Sequence, residues 1–154
     1  MKLRAAVTIV LLCALVAACG GGGGSRLSQS EYRARVADLG KQANAAQSTA
    51  QQALNAKSVP QLQARLRAFA DAVDRIGDEV DRLKPPKNAE AANAELARGE
   101  HDSATEIRDA LPSLSKFSTP AQAVSSLSAL GGRGGHEIDD ALAKLKKLGY
   151  TKGS

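Results

Sequence analysis

The chain has 154 residues, 43% of them hydrophobic, and a formal net charge of +5, which suits one small domain with short appendages. Two Tyr, two Phe and no Trp leave no aromatic platform for bases, and 21 basic residues are interspersed with 16 acidic ones along the chain. Nucleic-acid binding, which needs a clustered basic face and stacking aromatics, is therefore not expected.

The first element is an apolar run from Ala5 to Ala18, preceded by Lys2 and Arg4. A spanning helix needs about 20 apolar residues, so this run is short for one. A basic start, a short apolar middle and small residues at the end describe a secretory signal. The run closes on Val16-Ala17-Ala18-Cys19, followed by Gly20. This tetrapeptide resembles a bacterial lipobox, an aliphatic residue and two small residues before a cysteine, with Val16 where Leu is usual. The resemblance implies that the Cys19 thiol receives a diacylglycerol group and that the chain is cut between Ala18 and Cys19. It covers residues 1–20 and gives an address at the membrane of the cell envelope, not an activity.

Cys13 then leaves with residues 1–18, and Cys19 is taken by lipid. An exported chain of this kind has no cysteine pair to bridge, so its stability must come from packing. Gly20–Gly24 reads as a leash, with residues 19–27 as the whole tether. Glycine-rich chain is flexible coil, and a segment of this length reaches roughly 15 Å.

The next segments all read as helix. Ser28-x-x-Glu31 is a capping box, and Tyr32, Val36, Leu39, Ala43, Ala46, Ala50 and Ala53 follow on one thin, alanine-rich face. Ser58-x-x-Gln61 repeats the box with Pro60 in the first turn. Leu62, Leu66, Phe69, Val73, Ile76, Val80 and Leu83 then recur in steps of four and three, a heptad seam ended by Lys84-Pro85-Pro86. A third helix is predicted from Asn88 to Pro112 through Leu96 and Ile107, with Gly99 costing about 1 kcal/mol in its middle. Thr119-Pro120-Ala121-Gln122 opens a short fourth helix through Val124, Leu127 and Leu130. Gly131-Gly132-Arg133-Gly134-Gly135 breaks the chain before a last helix carrying Ile138, Leu142, Leu145 and Leu148.

No segment alternates as a strand does. The expected fold is all-α: a small antiparallel bundle of four to five helices over residues 28–148, with a frayed tail at 149–154. This pattern and the Leu-Lys-Pro-Pro break at 83–86 loosely resemble small exported helical-bundle lipoproteins of high-GC bacteria.

Four features invite chemistry. Arg133, Gly134 and Gly135 at a helix start are candidate anion-binding residues, against the plainer reading of a hinge. His136 and Asp140, four apart on one helical face, have the outline of a metal pair, but no third ligand stands near, and no metal or other cofactor is expected. Asp71, Asp74, Asp78 and Asp81 interleave with Arg67, Arg75 and Arg82 at spacings of four, which marks a solvated face. His101, between Glu100 and Asp102, reads as a surface histidine able to titrate near neutral pH. No serine sits in a nucleophile elbow, so no catalytic residue is assigned.

Two functions compete. One is a non-enzymatic interaction or structural module held to the membrane through Cys19, facing an envelope protein. The other is a module that holds a small apolar or anionic molecule between its helices, in a pocket lined by Phe69, Val73, Leu96 and Ile107.

Overall fold

The computed structural model describes residues 25–127 and 132–151. The expected cut after Ala18, the lipid site at Cys19 and the glycine leash lie outside the described residues, as does Leu130. Among the described residues the chain is helical throughout, with five α-helices: α1 (Gln29–Ala53), α2 (Val59–Arg82), α3 (Glu90–Leu114), α4 (Pro120–Leu127) and α5 (Arg133–Lys147). None of these is long and apolar enough to cross a membrane.

Local chemistry sets the boundaries. At α1 the capping box is reciprocal: Glu31 N–H donates to Ser28 Oγ at 3.3 Å, and Ser28 N–H donates to Glu31 Oε2 at 2.8 Å. At α2 only half of the box forms. Ser58 Oγ accepts from Gln61 N–H at 3.3 Å, but the Gln61 side chain accepts from Lys57 N–H at 2.7 Å. A 3-10 turn over Lys87–Ala89 precedes α3, so the α-helix proper starts two residues later than Asn88. It also runs past Pro112 to Leu114. A proline in the last turn forfeits only its own N–H bond, and the hydroxyls of Ser113 and Ser115 donate to the carbonyls of Ala110 and Pro112 at 2.7 and 2.8 Å.

Short links force neighbouring helices to run antiparallel. Leu27 N–H, just before α1, donates to the Lys84 carbonyl just after α2. Gln63 near the start of α2 donates to the Leu111 carbonyl near the end of α3. Lys144 late in α5 pairs with Glu95 early in α3, whereas Arg133 pairs with Asp102 further on. α3 is the centre of the arrangement, packed on α2 along one side and on α5 along another, while α1 lies on α2.

The heptad seam of α2 is core: Leu62, Val73, Ile76 and Val80 are buried. One core region joins Tyr32, Val36 and Leu39 to Ile76, Val80, Leu96 and Leu145; another, at the opposite end, joins Leu62 to Leu111, Leu114 and Ala123. Each large aliphatic side chain so buried is worth about 1.5–3 kcal/mol. Ala43, counted with the apolar face of α1, is exposed. Two buried polar side chains are tied in: Tyr32 Oη donates to Asn93 Oδ1 at 3.0 Å, and Asn93 Nδ2 donates to the Val80 carbonyl at 3.0 Å.

Both ends of the folded part extend beyond 28–148. Arg26 and Leu27 dock on the link between α2 and α3 through hydrogen bonds to Pro85 and Lys84. At the other end, the expected frayed tail opens with a Schellman turn at Gly149 and Tyr150; its residues 152–154 lie outside the described residues. Gly149, at φ 79°, reverses the chain, with Gly149 N–H donating to Lys146 and Tyr150 N–H to Leu145. The reversal drives Tyr150 back into the core, 2% exposed, edge-on to Tyr32 with ring centres 5.0 Å apart.

Candidate functional site

Helix α3 presents two contrasting surroundings, one against α2 and one toward α1 and α5. Against α2, the acidic stripe is solvated as expected, its side chains 36–60% exposed, and Asp71, Asp74 and Asp81 also clasp α3 across the helix interface. Arg108 Nη2 donates to Asp71 Oδ1 and to Asp74 Oδ2, each at 2.9 Å. His101 Nδ1 lies 2.7 Å from Asp74 Oδ1, and its Nε2 lies 3.3 Å from Asp81 Oδ2. Of the expected pairs within α2, Asp78–Arg82 forms, at 3.5 Å; Asp71 reaches across to α3 instead of to Arg67 or Arg75. These aspartates flank the apolar seam, so the helix that covers the seam brings its own cations within their reach. Gly77 makes room for the histidine, since a Cβ there would stand 2.9 Å from the imidazole.

This clasp fixes charge. Hydrogen bonding to Asp74 raises the His101 pKa; burial opposes it, and the weaker bond to Asp81 adds to the rise. The Asp74 carboxyl is held below its ordinary range by the same bond to His101 and by Arg108. With both ring nitrogens facing carboxylates, the imidazole has no free nitrogen with which to take a proton from a substrate. Among the described residues, no group of three or more His, Cys, Asp or Glu is placed to hold a metal ion.

On its other side α3 floors a groove of about 500 Å³ between the outer helices α1 and α5. Its apolar walls include Val36, Leu39, Gly40 and Ala43 of α1, Ile76 and Val80 of α2, Leu96 of α3, and Ile138 and Leu142 of α5; Arg33, Lys41, Asn44 and Thr151 also line it. The groove exists because the α1 wall is thin: glycine and alanine stand where larger side chains would fill the gap to α5. Glu100 lines it too, at 8% exposure, with no hydrogen bond or ion pair among the described residues. No fully buried side-chain oxygen lacks a partner there, so the Glu100 carboxyl is reached through the groove. Burial pushes its pKa up to about 7, with neighbouring His101 pulling the other way.

The expected pocket of Phe69, Val73, Leu96 and Ile107 does not form as one cavity. Leu96 and Ile107 share a line on α3, but eleven residues separate them by about 16 Å along the axis. Leu96 lines the groove, whereas Phe69 and Ile107 line a second hollow of about 380 Å³ with Leu66 and Leu127. Val73 is packed against Ala70 and Ala104. Glu100 was the residue that sequence reasoning passed over. The available signal was its spacing, four residues after Leu96 and so on the same helical face.

At the start of the last helix, Gly134 serves close packing. Gly134 and Gly135 lie inside α5, not ahead of it. Gly134 is buried against Ser103, where a Cβ would collide with the Ser103 backbone, and a Cβ at Gly99 would lie 2.9 Å from Ile138 N. The anions that face this helix start belong to α3. Gly134 N–H donates to Glu106 Oε1 at 3.3 Å, and Arg133 Nη2 donates to Asp102 Oδ2 at 2.5 Å. Gly135 faces open space. His136 and Asp140 are exposed, and Glu137 between them turns to Arg98 at 3.1 Å.

The chain matches no family model, no curated protein and no solved structure.

Proposed function

We propose that the chain is an exported, non-enzymatic binding module, anchored by lipid on Cys19 and holding a small apolar-bodied molecule in the groove between α1 and α5. The observation that carries the binding role is the groove itself: about 500 Å³, mostly apolar in its walls, with Arg33, Lys41, Asn44 and Thr151 among its lining and a single carboxyl on its floor. Small-molecule sites have this character, with a volume of about 300–1,000 Å³ and few polar groups. The anchor rests on Val16-Ala17-Ala18-Cys19 and on the glycine leash, and it puts the domain on the outer face of the cytoplasmic membrane or the periplasmic side of the envelope. A second reading, docking of an envelope protein, is favoured by Leu54, 63% exposed beside the hollow of Phe69 and Ile107.

Two measurements test this. Intact mass of the membrane-extracted chain should show loss of residues 1–18 and added acyl chains; an uncleaved, unacylated chain contradicts the anchor. An uncharged naphthylamine dye should brighten on binding the full chain, and Ala43→Trp, which fills the groove from an exposed position on α1, should abolish that response. Equal dye binding by parent and variant contradicts the groove as the site.

A further inference from the structure

The apolar walls of the groove do not account for Glu100. An ionised carboxyl beside Val36, Ile76, Leu96 and Ile138 loses hydration with no compensating partner, and buried charges are ordinarily paired. Neither cation of the rim bonds to Glu100. Arg33, on the rim, donates to the Gly149 carbonyl at 2.9 Å, and Lys41 pairs with Asp38 at 2.8 Å. On α3 itself, His101 is engaged by Asp74 and Asp81. The residues that α2 and α5 contribute to the groove, Ile76, Val80, Ile138 and Leu142, carry no charge. Glu100 is thus a charge-bearing side chain of the groove whose partner is absent from the described residues.

We propose, resting on the reading of the groove as a binding site, that its ligand is an amphiphilic amine: the ammonium head donates to the Glu100 carboxylate, and an aliphatic or aromatic body lies along the apolar walls. A charge-assisted hydrogen bond is about twice as strong as a neutral one, and low-dielectric walls strengthen it further. An alcohol of the same length keeps the wall contacts but loses the charge. A carboxylate of that length sets a second negative charge against Glu100. The bound ammonium requires Glu100 ionised, whereas burial holds the empty groove's carboxyl partly protonated near neutrality. Amine uptake therefore releases a proton below about pH 7, and affinity rises with pH until Glu100 is fully ionised. Lys41 keeps its charge over this range, its ammonium favoured by the bond to Asp38.

The test is displacement of the naphthylamine dye from the full chain by n-decylamine, n-decanol and decanoate. At pH 8 decylamine should bind at least tenfold more tightly than decanol, and decanoate more weakly than either. Between pH 8 and pH 5 the amine should lose roughly two orders of magnitude in affinity. Glu100→Gln should bring amine and alcohol to parity. Equal displacement by decylamine and decanol, a preference for decanoate, or an amine preference that survives Glu100→Gln would each overturn the inference while leaving the groove as an apolar site. Failure of the dye and all three competitors to bind would overturn the groove reading, and the inference with it.

Discussion

Glu100 and His101 are adjacent on one helix but stand in opposite electrostatic surroundings. The α2 side of α3 is closed: His101 and Arg108 share three aspartates between them, and each charge has its counter-charge within 3.3 Å. The side toward α1 and α5 is open: Glu100 stands among aliphatic walls with no partner among the described residues. The closed side holds helices together and spends its charges doing so. The open side keeps one buried charge unspent, which destabilises the fold and favours whatever cation can reach it.

The contrast can be broken at four points, from the largest effect to the smallest. Val73, 6% exposed in the closed seam, should not tolerate a charge. Val73→Asp is expected to lose about 3–5 kcal/mol in chemical denaturation, the penalty of an unpaired buried ion. A variant as stable as the parent would show that the seam is not core.

Glu100→Gln should have the opposite sign. Its carboxyl titrates at about 7 in the folded chain against 4.5 for the ordinary group. A raised carboxyl pKa means that the folded state holds the proton longer, so stability is full below about 4.5 and falls as pH rises through 7. The variant should therefore gain roughly 1–3 kcal/mol over the parent at pH 8 and almost nothing at pH 4. A parent and variant with parallel stability-versus-pH curves would contradict the open surroundings of Glu100.

His101→Gln probes the closed side. A histidine whose folded pKa is raised contributes stability below its ordinary value of 6.5 and loses it as pH rises through the raised value. Asp74 is depressed, so its share is present above about 3.8 and lost as pH falls. The variant should be weaker than the parent near pH 5–6, by about 1 kcal/mol, and converge with it in alkali. Smallest of all, Asp78→Ala removes only an exposed i,i+4 pair and should stay within about 0.5 kcal/mol in thermal melts.

Much of the fold was legible in the residues because it depends on local signals. Ser28 and Glu31 cap α1 reciprocally, and the steps of four and three from Leu62 to Val80 mark the buried face of α2. What was not legible depends on which helix lies opposite. Asp71 could pair within α2 or across to α3, and spacing alone favours the former; the position of Arg108 decides for the latter. Gly99 and Gly134 read as weak points until the closeness of α3 and α5 shows that a side chain at either would collide with its neighbour. Tyr150 followed a lysine-rich helix end and looked loose, but Gly149 in the left-handed conformation carries it back to Tyr32. The site depends on the same tertiary fact: the spacing of Glu100 from Leu96 shows that both share a face, and only the thin wall of α1 shows that this face is open.

The most direct test is a carboxyl-carbon NMR titration of Glu100 in the full chain, with and without n-decylamine. An open, unpaired carboxyl should titrate near pH 7 alone and move well below that when the amine is present. A midpoint in the ordinary glutamate range without ligand, or one that decylamine leaves unmoved, would contradict the claim that this groove keeps a charge in reserve for a cation.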